Sequence, residues 1–519
     1  MSLDRGRFKL SFKVATPPNS VFAINHPNAF STSQTRKPLY EMLLEMVVME
    51  EFEYNGIWWL PENPDNKISG ILKFHPVEGA NLELNGSFKE PKDLNAFLQP
   101  NIILGITSNG KIITLYECYE SHFHISMPGF LSSSFIASVV FQGHHFEKEE
   151  DIIFDSLSLN YSHLEEWMRI TGFQFKLETD SKSHLTKHEV SYSFPQKVEA
   201  KVDKLNISFD YDFNLGGDRI KEVNLKQTTF IKIEPNKPIY FNDYRRNICY
   251  HIQNFLSLAI GRAIHPLIIK GKTKACKTEL SDGRVVYNDI LIFYPTKDLS
   301  NLSKKLHPFD MLFSFGDISD NFEKCLRNWL SKSKVLQPVY DLYFGTLYNP
   351  SMYLQHKFLS LIQAIESYHR RIYGGKYLSD NDYIPTREAL LKVVCQKIND
   401  DDFRKSLKEK LKHLNEFSLQ KRLKEILKKC GDVINLLIYD NEEFIEDVKN
   451  TRNFLTHYDK NIERKAKSGQ ELYMLVQKMK FMLEICFLIE LEIQMETIKA
   501  LVSRNQRYQY LAKQLKHFS

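Results

Sequence analysis

Short runs of alternating apolar and polar residues, separated by turn-forming residues, extend over the first 300 or so positions. GIWWL and ISGILKF flank the turn cluster PENPDN, and HPVEGANLELNGSF repeats the pattern. In NIILGITSNGKIITLYECYE, Ser-Asn-Gly separates two β-branched runs, which predicts a hairpin because Asn and Gly tolerate positive φ. SFIASVVFQ, KVEAKVDKLNISFDYDF and KQTTFIKIEP are also of β type. We predict an antiparallel sandwich or barrel, interrupted by one amphipathic helix around YFNDYRRNICYHIQNFLSLAIGRAI.

The period of the apolar residues changes to 3.6 after about residue 310, which predicts an all-helical bundle. The predicted helices are MYLQHKFLSLIQAIESYHRRIY, REALLKVVCQKI, DDFRKSLKEKLKHL, LQKRLKEILKKC, FIEDVKNTRNFLTH and a long stretch from about Gln470 to His517. Loops are expected at YGGKYLSDNDYIP and YDKNIERKAKSG. The fold class is therefore α+β and multidomain: a β-rich region over 1–310, a connecting helical segment over 311–345, and a helical domain over 346–519.

Composition narrows the class of protein. The 519 residues include 43% hydrophobic ones, enough for buried cores, and 69 basic against 64 acidic residues, so bulk charge does not indicate a nucleic-acid-binding protein. Seven cysteines without a C-x-x-C pair predict reduced thiols in a cytoplasmic protein. The most apolar stretch, FMLEICFLIELEI, contains three glutamates, and MSLDRGRFKLSFK lacks the apolar core of a signal peptide. We therefore expect no membrane association.

The stretch RNFLTH, with Arg452, Asn453 and His457, is the first candidate for chemistry. An apolar stripe at coiled-coil spacing consists of Ile445, Val448 and Leu455. Arg452 occupies a position in this stripe where another apolar residue is expected, and burying an arginine is costly unless it is paired. We expect the helix to end at or just after His457. Residues five apart on a continuous helix diverge by about 140°, but a histidine at the helix end can fold back toward the arginine.

The same pattern occurs earlier as RNICYH, with Arg246, Asn247 and His251. The stripe predicted to be buried on that helix consists of Tyr244, Ile248, Ile252, Phe255 and Ala259. Arg246 then lies on the solvated face, and His251 is better explained as a core histidine. We therefore favour the C-terminal copy as the site.

A helical bundle in which one helix ends in RNFLTH resembles a HEPN domain, whose hallmark is an Arg, a following polar residue and a His. The following HYDK, together with FLSLIQAIESYHRR upstream, resembles the variant found in ApeA-type proteins of bacterial abortive infection. GIWWLPENPDNKISGILKF and DIIFDSLSLNYSHLEEWMRITGF are similar to the N-terminal domain that accompanies it. The likeness covers most of the chain but is loose between about 175 and 340.

This resemblance implies a metal-independent ribonuclease toxin without a cofactor, acting as a homodimer or higher homo-oligomer with two motifs at a composite site. Its substrate would be cellular RNA, with tRNA as one candidate, and its trigger a phage component. His457 suits a proton donor or acceptor that titrates near neutrality, and Arg452 supplies a permanent cation for the phosphate. Asn453 would position the phosphate or hold the histidine.

Four further residues are candidates for the same site. Glu366 borders the inner stripe of its predicted helix, so it either pairs with Arg452 across the bundle or is an ordinary solvated glutamate. Lys460, Arg464 and Lys465 follow the motif directly and are candidates for RNA contact. The basic segment 404–430 and a set of tail residues, Arg504, Arg507, Lys513 and Lys516, are weaker candidates, because charged helical runs are usually solvated faces.

Two features are better explained by structure than by binding. Gly-His-His-Phe at 143–146 has no second ligand pair and is expected to end a strand, and one of Trp58 and Trp59 is expected in the core. Three hypotheses therefore remain for the protein. They are a ribonuclease effector regulated by its β-rich domain, a non-catalytic HEPN scaffold for dimerisation, and a carbohydrate- or ligand-binding β-domain coupled to partners by the bundle.

Overall fold

The computed structural model describes residues 8–13, 51–89, 97–125, 129, 131–218, 220–296 and 305–518. Residues 1–7, with which the stretch MSLDRGRFKLSFK begins, lie outside the described residues. The chain forms two compact units, one of Met1–Gln253, Ile264–Leu306 and Phe315–Ser319, the other of Asn254–Ala263, His307–Ser314 and Asp320–Ser519. Within the described ranges, no helix has the length and apolarity needed to cross a membrane.

Nineteen strands are described, all of them in the first unit. They are β1 (Phe8–Lys13), β2 (Phe52–Leu60), β3 (Asn63–His75), β4 (Gly79–Leu84), β5 (Ile102–Thr107), β6 (Ile112–Ile125), β7 (Leu131–Gln142), β8 (Ile153–Phe154), β9 (Ser156–Tyr161), β10 (Phe173–Thr179), β11 (Leu185–Tyr192), β12 (Val198–Val202), β13 (Leu205–Gly216), β14 (Asn224–Pro235), β15 (Ile239–Tyr240), β16 (Pro266–Lys272), β17 (Lys277–Glu279), β18 (Val285–Tyr287) and β19 (Ile290–Phe293).

Six of these strands close into an antiparallel barrel. Their order is β7-β4-β3-β2-β5-β6, and β6 pairs back onto β7 along most of its length. From β7 the same sheet continues through β19, β16, β9, β14 and β13 to β12. A separate three-stranded sheet has the order β1-β11-β10. The predicted antiparallel β-rich region is confirmed, and its main element is a barrel.

Trp58 fills the inside of the barrel, which explains the glycines in neighbouring strands. Its ring is fully buried, and its Nε1 donates a hydrogen bond to the carbonyl oxygen of Gly70 at 3.2 Å. A Cβ on Gly105 would lie 2.2 Å from the indole, so the strand beside the ring requires a residue without a side chain. Trp59 is also buried, at 8% exposure. The expectation that one of the two tryptophans lies in the core is confirmed, and the second is buried as well.

The hairpins follow the predicted turns, with one difference in length. β5 and β6 are joined at Ser-Asn-Gly as predicted, and Gly110 has a φ of +79°. The cluster PENPDN, by contrast, is not a six-residue turn. β3 begins at Asn63, which pairs with Leu60, so only Pro61 and Glu62 form the loop. The first five residues of β3 are exposed, which lets polar residues and a proline extend the strand.

The longer helices lie mainly in the second unit. They are α1 (Leu164–Met168), α2 (Tyr250–Ile260), α3 (Phe322–Leu347), α4 (Leu354–Tyr373), α5 (Asp380–Lys397), α6 (Asp401–His413), α7 (Leu419–Cys430), α8 (Asn441–His457), α9 (Gly469–Glu490), α10 (Met495–Arg504) and α11 (Gln506–Phe518). Single turns occur at Phe241–Asp243 and Phe315–Ile318, and a π-helical segment, Tyr244–Cys249, precedes α2. The predicted helical bundle is confirmed.

The stretch from Gln470 to His517, predicted as helical throughout, is divided into α9, α10 and α11. Asn505, which separates α10 from α11, has an extended backbone with a ψ of 119°. Its side-chain Nδ2 donates to the carbonyl oxygen of Met311 at 2.8 Å, and its Oδ1 accepts from the backbone N–H of Tyr508 at 3.2 Å. The break is therefore a buried cap, because both polar ends of the Asn505 side chain have backbone partners.

The core of the helical unit surrounds α9, which is buried on most of its circumference and includes a fully buried Glu484. Tyr343 donates a hydrogen bond to Oε1 of this carboxylate at 2.6 Å, and Arg507 lies 2.6 Å from Oε2, to which Tyr508 also donates. Burial alone would raise the pKa of Glu484, but Arg507 and Lys480 lower it. The glutamate therefore stays charged inside the bundle because its neighbours compensate it.

Candidate functional site

Helix α8 carries the C-terminal motif, and its ends are set by local chemistry. Asp440 caps the N-terminus: its carboxylate accepts hydrogen bonds from the backbone N–H groups of Glu442 at 2.8 Å and Glu443 at 3.0 Å. Ile445 and Val448 are fully buried against the bundle. The predicted positions of these two apolar residues are therefore confirmed, and they fix which face of α8 the motif follows.

Arg452 borders the buried face of α8 rather than lying within it. Thr451 takes the innermost position, with no exposure, and its Oγ1 accepts a hydrogen bond from the backbone N–H of Lys467 at 3.0 Å. Arg452 and Asn453 are both half-buried, and Nη1 of Arg452 lies 3.3 Å from Oδ1 of Asn453. The expectation that Arg452 lies inside the apolar stripe is therefore wrong by one position. Its expected need for a partner is met by Asn453, the next residue.

His457 is the last residue of α8, as predicted, and its side chain is exposed. Tyr458 follows in the left-handed region, with a φ of 52°, and its backbone N–H donates to the carbonyl oxygen of Phe454 at 2.6 Å. This arrangement ends the helix abruptly. Among the described residues, the imidazole of His457 has no hydrogen-bond or ion-pair partner, which leaves both ring nitrogens open to a ligand.

Arg452 and His457 do not meet within one chain. The helix is regular up to its last residue, so the backbone directs the two side chains about 140° apart around the axis. No hydrogen bond joins them in the part of the chain that the structure describes. The histidine does not fold back, because the αL residue that ends the helix comes after it.

Glu366 is half-buried on α4, a helix that contacts α8. In the described ranges it forms no ion pair with Arg452. Its carboxylate instead acts on Arg422: burial lowers the pKa of this arginine, and Glu366 is one of the carboxylates that oppose that shift. The suggested pairing across the bundle is therefore not what the structure contains, and a role for Glu366 in the site remains a prediction.

A buried cluster around Arg422 on α7 was not predicted. Arg422 is 2% exposed and His369 is fully buried. Nη1 of the arginine lies 3.0 Å from Nδ1 of the histidine, and Nε2 of the histidine lies 2.8 Å from Oε2 of Glu425. Arg422 also donates to the carbonyl oxygens of Gly374 at 2.8 Å and Phe417 at 3.1 Å. Because an arginine is a pure donor, Nδ1 accepts and Nε2 donates to the carboxylate.

The three cations that follow the motif lie on the protein surface. Lys460, Arg464 and Lys465 are exposed, and none of them has an ion-pair partner among the described residues. Lys467, only two positions further on, behaves differently: it lies 3.4 Å from Asp447 and 3.6 Å from Glu471. The loop that follows His457 therefore presents three cations that no described carboxylate neutralises directly.

Some cations of the weaker candidate surfaces have structural roles. Arg422 is buried, and Arg507 pairs with Glu484 inside the bundle, so neither is part of an open basic face. The sequence signal for Arg422 is its position four residues before Ile426 and eight before Cys430, which are both buried. The basic run on α7 therefore contains one residue, Arg422, that lies on the buried face of the helix.

The earlier copy of the motif has the placement predicted for it. The stripe of residues expected to be buried, Tyr244, Ile248, Ile252, Phe255 and Ala259, is buried throughout. Arg246 is exposed, and His251 is buried at 7% exposure. The copy thus places its arginine and histidine in different environments, and its histidine belongs to the core.

His144 and His145 follow the end of β7, as expected for residues that terminate a strand. The carbonyl oxygen of His144 accepts a hydrogen bond from Thr114 Oγ1 at 2.9 Å, and Nε2 of His145 lies 3.0 Å from the carbonyl oxygen of Gly105. Across the described ranges, no group of three or more His, Cys, Asp or Glu residues is arranged to hold a metal ion.

Two family models match the chain, one in its N-terminal and one in its C-terminal part. Residues 53–329, more than half of the chain, match the family described as ApeA N-terminal domain 1. Residues 359–497 match the family described as Apea-like HEPN, which includes α8 and the loop after it. No curated protein and no solved structure matches the chain. The resemblance inferred from the sequence is therefore confirmed for both regions.

Proposed function

The chain belongs to the ApeA family, with an Apea-like HEPN domain in its C-terminal half, and we propose that it is a metal-independent endoribonuclease acting in antiphage abortive infection. HEPN domains are usually ribonucleases. The observation that carries the proposal is the position of RNFLTH within the HEPN match: it ends a helix, leaves His457 exposed and is followed at once by three exposed cations. A histidine that is accessible for proton transfer, next to cations that have no carboxylate partner among the described residues, suits a phosphodiester substrate.

The proposed reaction uses the 2′-hydroxyl of the RNA as the nucleophile. A base takes its proton, the 2′-oxygen bonds to the adjacent phosphorus, and the bond from phosphorus to the 5′-oxygen breaks with protonation of that oxygen. The products are a 2′,3′-cyclic phosphate and a 5′-hydroxyl. His457 would transfer one of these protons, because an imidazole titrates near neutrality. Arg452 would stabilise the charge on the phosphate. Asn453, which accepts a hydrogen bond from Arg452, would orient the guanidinium group.

We propose that two copies of the chain build the site. Arg452 and His457 diverge around α8, so a facing helix from a second copy would supply the missing group on each side. The hairpin of α5 and α6 offers apolar surface for such contact: Leu390 is 40% exposed, Val393 54% and Phe403 50%. Exposed apolar side chains on adjacent helices suit a surface that is covered in an assembly.

The β-rich domain would restrain or trigger the nuclease in response to a phage component, and the protein would act in the cytoplasm on cellular RNA, with tRNA as one candidate. Lys460, Arg464 and Lys465 would hold the RNA backbone beside His457. Glu366 would act indirectly, through the electrostatic field around Arg422.

One observation favours the alternative of a non-catalytic HEPN scaffold. In a single chain Arg452 is bonded to Asn453 and not to the histidine, so the motif is incomplete without a partner copy. A scaffold would need the motif helix only for packing.

Growth arrest separates the two functions. Expression of the nuclease arrests growth, and His457→Ala relieves the arrest while the protein stays folded and keeps its oligomeric state. His413, which is also exposed and also ends its helix, provides the matched control, and His413→Ala retains the arrest. Equal arrest by the His457→Ala protein would favour the scaffold.

A further inference from the structure

The β-rich unit contains a cavity of about 540 Å³ that no step of the proposed nuclease uses. Most of its lining residues belong to the β13–β14 hairpin and to β16. Its lining consists of Phe194, Tyr211, Asp212, Phe213, Asn214, Lys226, Thr228, Phe230, Ile268 and Lys270. This volume lies in the range of roughly 300–1,000 Å³ that is typical of small-molecule sites, and the lining combines four aromatic side chains with five polar or charged ones.

The aromatic part of the lining is held in place by packing. Phe213 stacks on Tyr192 with ring centroids 4.2 Å apart and planes at 18°. Phe230 is 3% exposed, and Nζ of Lys270 lies 4.5 Å from its ring centroid. Phe230 is too deeply buried to stack on a ligand, whereas Phe213 is half-buried. A flat aromatic ligand can stack on Phe213 at little cost in conformational entropy, because packing against Tyr192 already fixes its ring.

The polar part of the lining is richer in positive than in negative charge. Lys270 Nζ lies 2.6 Å from Oδ2 of Asp212, and their side chains are 25% and 57% exposed. Lys226 is the second lysine of the lining, and Asp212 is its one carboxylate. A phosphate bound to Lys270 would replace Asp212 as the partner of the ammonium group, and charge-assisted hydrogen bonds of this kind are among the strongest in proteins.

Tyr211 also lines the cavity. Its hydroxyl oxygen is buried and makes no hydrogen bond to any described residue. Burial raises the pKa of Tyr211 to about 12, so the phenol stays protonated at neutral pH. The oxygen is closed off from the cavity as well as from solvent, so Tyr211 lines the cavity with its ring and not with its hydroxyl group.

We propose that this cavity binds a nucleotide, with its base against the aromatic side chains and its phosphate on Lys270 and Lys226. A neutral sugar would use the rings and Asp212 but would gain nothing from the two lysines. The proposal concerns the β-rich unit and is independent of the ribonuclease site on α8. It would give the N-terminal domain a chemically defined ligand.

Titration calorimetry of the full chain tests the proposal with three sets of probes: the four ribonucleoside 5′-monophosphates, the corresponding nucleosides, and maltose as a neutral sugar. We expect at least one monophosphate to bind at least tenfold more tightly than its nucleoside, and no heat from maltose. A nucleoside or maltose that binds as tightly as the monophosphate would overturn the proposal, and so would the absence of binding by all four monophosphates.

Variants then locate the binding. Lys270→Met should weaken it at least tenfold, whereas Asp212→Asn, which releases Lys270 from its ion pair, should strengthen it. Tyr211→Phe should leave both the binding and the unfolding midpoint unchanged, because the hydroxyl that it removes is closed off from the cavity and has no partner in the folded chain. Lys73, paired with Glu83 at 3.0 Å on barrel strands, is the matched control for loss of a lysine.

Lys73→Met and His457→Ala should leave binding unchanged. Loss of binding in His457→Ala with retention in Lys270→Met would place the nucleotide at the RNA site and would overturn the assignment to this cavity. That outcome leaves the proposed ribonuclease intact, so failure of one proposal is distinguishable from failure of the other.

Discussion

Nη1 of Arg422 lies 3.0 Å from Nδ1 of His369, and both side chains are buried in the helical unit. The contact joins α7 to α4, and the arginine also satisfies two carbonyl oxygens at the end of α4 and in the loop before α7. A single side chain therefore holds together the elements around the end of α4.

Replacing Arg422 should destabilise this unit strongly. Arg422→Met keeps the apolar stem but leaves His369 and two backbone carbonyl oxygens without their donor, which should cost roughly 2–4 kcal/mol of the free energy of unfolding. Urea denaturation followed by far-ultraviolet circular dichroism measures the loss. Lys421→Met, one position earlier and half-buried in a pair with Glu425, is the control and should cost less than about 1 kcal/mol. Equal losses in both variants would contradict the assigned role.

His369 should make the stability of the helical unit depend on pH. Burial, followed by the charge of Arg422, lowers the pKa of His369 despite the hydrogen bond to Glu425. The unfolded chain then binds more protons than the folded one, so stability falls as the pH decreases through the ordinary histidine pKa, from about pH 7 to about pH 5. A His369→Gln variant should lose that part of the pH dependence in denaturation curves. An unchanged pH profile would show that another group is responsible.

The buried Glu484 should be far more sensitive to substitution than a surface glutamate. Glu484→Ala leaves Arg507 and Lys480 without their counter-charge in the core, and breaking a buried pair in this way typically costs about 3–5 kcal/mol. Glu492, half-exposed in a pair with Lys324 at 2.9 Å, provides the comparison, and its alanine variant should cost less than about 1 kcal/mol. Thermal unfolding midpoints of the two variants should therefore differ widely; similar midpoints would mean that the buried cluster contributes little.

Two glycine substitutions should have opposite effects. A methyl group at Gly105 would lie 2.2 Å from Trp58, so Gly105→Ala should disrupt the barrel and expose the indole. Gly345 lies in α3 with open space around its Cβ position, so Gly345→Ala should stabilise the helix by up to about 1 kcal/mol. Thermal unfolding, together with tryptophan fluorescence for the barrel, distinguishes the outcomes. A Gly105→Ala protein as stable as the wild type would contradict the packing of Trp58.

Most of the fold could be predicted from the sequence, because strand alternation, turn residues and helical periodicity are local signals. The sequence does not distinguish a barrel from a sandwich, since closure depends on the pairing of β4 with β7 and of β2 with β5, strands that are not consecutive in the chain. The burial of Arg422 was missed because its charged neighbours dominate the local composition, although its phase relative to Ile426 and Cys430 points inward.

The position of Arg452 relative to the buried face of α8 differs by one residue from the predicted one. Arg452 was placed in the apolar stripe by coiled-coil spacing, but α8 is an ordinary helix whose buried face drifts relative to a seven-residue repeat, so Thr451 is innermost. Arg452 and His457 form no hydrogen bond because His457 is still part of α8, which ends only at Tyr458, a residue in the αL conformation. The sequence alone does not show which residue adopts this conformation.

The most direct test of the central claim is cleavage of total cellular RNA by the purified protein in EDTA, beside the variants Arg452→Ala, His457→Ala and Arg246→Ala. We predict discrete cuts with 2′,3′-cyclic phosphate ends, lost in Arg452→Ala and His457→Ala and retained in Arg246→Ala, whose arginine is exposed on the earlier copy. If the purified protein needs its trigger, the same result is expected after addition of infected-cell lysate. Cleavage that persists in His457→Ala, or that is lost in folded Arg246→Ala but kept in Arg452→Ala, would contradict the assignment of the site.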